Sequence, residues 1–150
     1  MKKIILSLIL TLTIISCSKK ESVPMAKFFE KGQITALQID SLKELGFNVD
    51  TSIVALYQFD KISKESAFIT PLLFGSYKDE KIVGTELSNI YDIYHSHAVD
   101  TASQSSITIY LKDNAEYKID FLGGTDLDEQ FFKSLRETWR KSIAKTQEKR

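Results

Sequence analysis

The amino end sets the first constraint on this chain. Met1-Lys2-Lys3 is a short positive start, and residues 4–15 form a twelve-residue apolar run interrupted only by Ser7, Thr11 and Thr13. Ser16-Cys17 then places a small residue before the single cysteine of the chain. Charge, apolar run and small residue in that order make a secretory signal. A helix needs roughly 18 to 20 apolar residues to cross a hydrocarbon core, so the run reads as an export signal and not as a permanent span. A lone cysteine supplies no intrachain disulfide, so the part that follows must be held by an apolar core of its own. With 150 residues, 43% apolar and 27% charged, the chain suits one globular domain. Its 20 Lys+Arg balance 20 Asp+Glu, which leaves no cationic excess to neutralise phosphates and argues against nucleic acid as a partner.

Ile14-Ile15-Ser16-Cys17 resembles the lipobox of bacterial lipoproteins. The resemblance implies that Cys17 is joined to diacylglycerol, that residues 1–16 are removed as a signal peptide and that the new amino end is acylated. One acyl chain holds a protein to a bilayer only marginally, at about 0.8 kcal/mol per buried methylene, and two or more make a lasting anchor. The expected location is therefore the bacterial cell envelope, with the protein lipid-anchored to a membrane it does not cross. Ser18 after the cysteine fits transport to the outer membrane in preference to the inner one in a Gram-negative cell. Losing Lys2 and Lys3 with the signal leaves 18 basic against 20 acidic groups, so no long-range attraction to anionic lipid is expected. Residues 17–32 read as the lipidated cysteine and a tether. The polar stretch 18–24 spans at most roughly 25 Å when extended, which keeps the folded body close to the bilayer.

The body, residues 33–150, reads as a single α+β domain. Ile34, Leu37, Leu42 and Leu45 fall on one helical stripe and Gly46 stops it, which predicts a short helix near the amino end. Residues 53–59 are almost continuously apolar and predict a strand buried on both faces. A second strand over 67–70 meets Pro71, which cannot donate to a ladder and predicts an edge or a bulge. Segments 72–77 and 81–87 flank Lys78-Asp79-Glu80 as a hairpin. Leu87, Ile90 and Ile93 predict a helical turn that leads into a strand carrying His95 and His97. Ile107, Ile109 and Leu111 alternate with polar residues, as do Tyr117, Ile119 and Phe121 after a turn at 112–115. Residues 100–105 are a polar loop. Gly123-Gly124 then opens a last helix in which Leu127, Phe131, Leu135, Trp139 and Ile143 form a stripe. Asp126, Asp128 and Glu129 in its first turn, with Arg140, Lys141 and Lys145 late, complement the backbone dipole, which explains the late cations without a membrane-binding patch.

The order of strands with Ile69-Thr70 closing the second, then 87–93, then the hairpin arms 107–114 and 116–121, then a helix carrying Trp139, resembles bacterial pleckstrin-homology-like domains over roughly residues 50 to 145. The resemblance implies a bent antiparallel sheet, or a partly open barrel, capped by the C-terminal α-helix with Trp139 inserted in the core. Pro71 stands where such domains carry a charged residue, and the first hairpin offers only Lys61 and Lys64 where phosphoinositide-binding members present a denser basic cluster. Inositol-lipid binding is not part of the expectation.

Candidate chemistry is sparse. His95 and His97 lie on one side of a strand with Asp92 and Asp100 near in sequence, a set that could ligate Zn²⁺ or serve as acid and base. The competing reading is a solvent-exposed strand. There is no Gly-x-Ser-x-Gly elbow, the only thiol is committed to lipid, and Gly123-Gly124 lacks the Lys-Ser/Thr of a phosphate loop, so no nucleophile or cofactor motif is recognisable. Tyr94 and Tyr110 face away from their apolar neighbours and predict an exposed patch for a partner. These observations favour a non-catalytic, lipid-tethered binding domain that meets an envelope protein. The alternatives are a metal-dependent or acid/base enzyme using His95 and His97, and a carrier that holds an apolar ligand among Phe59, Phe68 and Phe74.

Overall fold

The computed structural model describes residues 26–60, 64–97, 104–121 and 126–148. Residues 14–17, on which the lipoprotein expectation rests, and Lys61, Asp100 and Gly123-Gly124 lie outside the described residues. The chain runs β1 (Lys27–Glu30), α1 (Ala36–Glu44), β2 (Ala55–Gln58), β3 (Ser66–Ile69), β4 (Leu73–Lys78), β5 (Lys81–Glu86), a 3-10 turn (Leu87–Asn89), β6 (Ile90–Ser96), β7 (Ser105–Leu111), β8 (Glu116–Phe121) and α2 (Asp126–Gln147). The fold is α+β with antiparallel strands, a C-terminal helix and a short helix near the amino end, as the hydrophobic pattern predicts. The strands make two sheets, ordered β1-β2-β3-β4-β5 and β6-β7-β8, and are not closed into a barrel. The break falls at the 3-10 turn, where the chain leaves β5 and starts the second sheet.

Two differences from the sequence reading have local causes. Residues 27–30, assigned above to the tether, form the edge strand β1, with Phe28 opposite Tyr57 and Phe29 opposite Leu56. Phe28 packs on one face of the sheet and Phe29 on the other, so the pair is amphipathic only once both faces are covered. Pro71 sits neither in an edge strand nor at a bulge. It lies in the turn after β3, an interior strand, where the Thr70 hydroxyl accepts from the N–H groups of Leu72 and Leu73.

α1 is short and weakly amphipathic, and its start is fixed by a capping box in which Thr35 and Gln38 satisfy each other's backbone N–H groups. Gly46, at φ 90°, ends it as expected. Ile39 and Leu42 of α1 bury Leu56 and Phe68 on one face of the five-stranded sheet, with Val49, Ile53, Phe29 and Phe47. Gly75 is required beneath Phe68, because a Cβ there would come within 2.3 Å of the ring. On the opposite face Ala55, Tyr57, Phe59, Ala67, Ile69 and Phe74 join a larger core with Ile93, Ile107, Ile109, Ile119, Phe121 and the α2 residues Phe131 and Leu135. Trp139 is half-buried against this core and donates its indole N–H to the Ile90 carbonyl at 3.3 Å. α2 therefore lies across both sheets and seals them to each other. Lys78 adds a polar link, its ammonium bonding the Asp120 carbonyl of β8 and standing 5.0 Å over the Phe59 ring.

Candidate functional site

The three-stranded sheet turns its inner face to α2; among the described residues its outer face is exposed around Tyr94 and Tyr110 and buried at Ser106. β6 alternates accordingly: Ile93 and His95 are buried, while Asp92, Tyr94 and Ser96 are exposed. Tyr94 is opposite Thr108, which is opposite Lys118; Asp92 is opposite Tyr110, which is opposite Glu116. Tyr94 and Tyr110 are thus diagonal neighbours, 61% and 39% exposed, as their place in the alternation predicts. A bulge between Ile90 and Asp92 adds Tyr91, which is 72% exposed, at the margin of the same patch. Lys118 pairs with Asp120 at 3.1 Å. With Asp92 and Glu116 also on this surface, the patch is aromatic and acidic.

The inner face holds the histidine that the sequence offered as a ligand. His95 is buried, and its Nε2 lies 3.3 Å from Asp128 Oδ2 on the first turn of α2. Phe132 and His97 cover its ring at centroid distances of 4.8 and 4.1 Å. Burial holds the imidazole below its ordinary pKa; the Asp128 hydrogen bond opposes that shift and the charge of nearby His97 adds to it. The neutral ring donates from Nε2 to the carboxylate and keeps its lone pair on Nδ1. Among the described residues that nitrogen has no hydrogen-bond partner, and neither has the Ser105 hydroxyl, which is buried on β7 two residues from the cross-strand partner of His95.

Of the proposed ligand set, the two histidines come together and Asp92 does not join them, while Asp100 lies outside the described residues. Asp92 faces outward, by the two-residue period of the strand, and its carboxylate accepts from the Ile93 N–H. His97 is exposed, so the solvent-exposed reading holds for it and fails for His95. Among the described residues no group of three or more His, Cys, Asp or Glu is placed to hold a metal ion. The residue sequence reasoning missed is Asp128. The pair Asp126/Asp128 could serve as acid and base and has a sufficient local explanation as a helix start, yet Asp128 stands three residues before Phe131 and seven before Leu135, on the buried stripe. The dyad orients an imidazole, but a general base must reach its substrate, and here the free nitrogen is sealed from solvent. Its geometry is that of a strut between β6 and α2.

Phe59, Phe68 and Phe74 do not share a cavity. Phe59 packs with Tyr57 and Phe121 on the α2 side, and Phe68 packs edge-on to Phe47 under α1. Phe68 and Phe74 do contribute to the wall of a pocket of about 230 Å³ beside β5. It adjoins a broader groove of about 770 Å³, floored by Val49, Pro71, Leu72 and Leu73 and rimmed by Glu86 and Lys145. Among the described residues no helix is long and apolar enough to cross a membrane.

No family model and no curated protein matches this chain. Among solved structures it is similar to the C-terminal domain of an unknown protein from Leishmania infantum, at 19% identity over 69% of this chain and 94% of that one, with a TM-score of 0.44.

Proposed function

We propose that this protein is a lipid-anchored lipoprotein of the bacterial cell envelope whose folded domain is a non-catalytic binding module. The observation that carries the reading is the outer face of the three-stranded sheet, where Tyr94 and Tyr110 are exposed diagonal neighbours, while the rings of the five-stranded sheet are buried or half-buried. Exposed tyrosines give large, stiff contact area at small entropic cost, the property of a contact surface. The lipobox at residues 14–17 supports attachment through Cys17 to a membrane, with the outer membrane as the destination suggested by Ser18. The sealed nitrogen of His95 supports a structural and not an acid/base part for the buried His95–Asp128 pair.

The test is photocrosslinking in intact cells from p-benzoylphenylalanine placed at position 94, with the same probe at position 37 on exposed α1 as a control and the Cys17→Ala protein as the untethered form. A discrete adduct from position 94 alone, weaker without the anchor, is the expected result. Equal, diffuse labelling from both positions would remove the outer face as the contact surface. Incorporation of labelled palmitate that is lost in Cys17→Ala checks the anchor.

A further inference from the structure

We infer that the outer face of the three-stranded sheet is a platform for a neutral or amino-bearing glycan; this rests on that face being the contact surface proposed above and names the chemistry of what it holds. Two properties of the face decide between ligand classes.

The first is its chemical composition. The cross-strand rows Asp92-Tyr110-Glu116 and Tyr94-Thr108-Lys118 contain aromatic rings and hydrogen-bonding groups, and no aliphatic side chain. Protein-binding hot spots sit in well-packed, desolvated pockets. Neither of the two grooves described above is lined by a residue of β6, β7 or β8. A pyranose matches such a surface. Its C–H faces lie on an aromatic ring, and its ring of hydroxyls both donates and accepts, so Asp92, Glu116 and Thr108 beside the two rings find partners at its edge. Tyr94 and Tyr110 as diagonal neighbours, with Tyr91 beyond the bulge, present rings over the length of a few sugar units.

The second is charge. Among the described residues of the two cross-strand rows and Asp120, three carboxylates, Asp92, Glu116 and Asp120, stand against one cation, Lys118, which is paired with Asp120; Lys112, just past the end of β7, turns its ammonium to the Ser88 carbonyl. An anionic polysaccharide, a phosphorylated headgroup or a nucleic acid would meet the net negative charge of these rows, whereas uncharged and amine-bearing saccharides would not be repelled. The glycan is thus polyhydroxylated and free of net negative charge.

The experiment is affinity electrophoresis of the full-length protein, solubilised in a polyoxyethylene detergent that carries no sugar head, through native gels containing hydroxyethyl cellulose, glycol chitosan or alginate. Retardation by at least one of the first two and none by alginate is expected. Tyr94→Ala/Tyr110→Ala should weaken the retardation about tenfold or more, the loss of two ring contacts, while keeping the thermal midpoint. Tyr94→Phe should retain it, since the ring and not the hydroxyl does the stacking. Absence of retardation by both uncharged and amine-bearing polymers, or retardation that survives the double substitution, overturns the inference. A protein adduct captured from position 94 together with no polysaccharide binding would overturn the glycan and leave the contact surface standing.

Discussion

The inner strands of the five-stranded sheet are covered twice, by α1 on one face and by α2 with the second sheet on the other, and the three-stranded sheet is covered once among the described residues. Their sequences differ in the way that coverage requires. β3 is buried at all four positions, whereas β6 alternates buried with exposed along most of its length. A strand with both faces in the core has no side chain left for a partner, so its residues answer only to packing. A strand with one free face carries two sets of residues under separate constraints, and in β6 neighbouring positions hold His95 for the interior and Tyr94 for the exterior.

Substitutions test that contrast most severely at the doubly covered sheet. Phe68→Ala should cost about 3–5 kcal/mol of stability, because Phe47, Gly75 and α1 are built around its ring and collapse only in part; urea unfolding measures it. Next comes the strut beneath the singly covered sheet. Asp128→Ala leaves His95 buried without its acceptor and should cost about 1–3 kcal/mol.

The same pair gives a pH dependence. The folded pKa of His95 lies below that of the unfolded chain, about 6.5, so on acidification the unfolded state takes up the proton first. Stability contributed by the neutral ring is therefore complete above the unfolded pKa and lost as pH falls through it toward the folded value. Thermal midpoints at pH 7.5 and 5.5 should differ more for the native protein than for His95→Gln.

Smaller still is the β4–β5 turn, where Asp79 and Glu80 adopt φ of 49° and 60°, a left-handed pair that asparagine and glycine prefer. Asp79→Asn with Glu80→Gly should stabilise the domain by about 1 kcal/mol, read as a higher urea midpoint at unchanged slope. The least effect is expected on the outer face at Tyr94, where Tyr94→Ser should stay within about 0.5 kcal/mol, since that ring is 61% exposed on an edge strand. A loss of several kcal/mol there would show that the face is covered and end the contrast.

Much of this was legible from periodicity. The alternation of Ile107, Ile109 and Leu111 fixed which side of β7 is inner, and with it the exposure of Tyr110. The apolar run at 53–59 announced burial on both faces. Three features escaped for separate reasons. Asp128 had a sufficient local explanation in the helix dipole, so its place on the α2 stripe went unused. The adjacent pair Phe28-Phe29 shows no alternation, and becomes a strand only because β2 lies beside it. The division into two sheets depends on the 3-10 turn at Leu87–Asn89, whose apolar spacing signals a turn of helix but not a change of sheet.

α2 is the last element, and it bears on the order in which the molecule can be completed. The two sheets acquire their common floor only from Phe131, Leu135 and Trp139, so a chain delivered amino end first has its strands in hand long before anything can close over them. Until the final 22-residue helix arrives, Ile93, Ile107 and Phe121 remain open to any other apolar surface. Truncation by the length of that one helix would therefore leave a chain with nearly all of its ladders and no means of hiding their inner faces. Such a chain belongs to chaperones and proteases sooner than to a membrane surface.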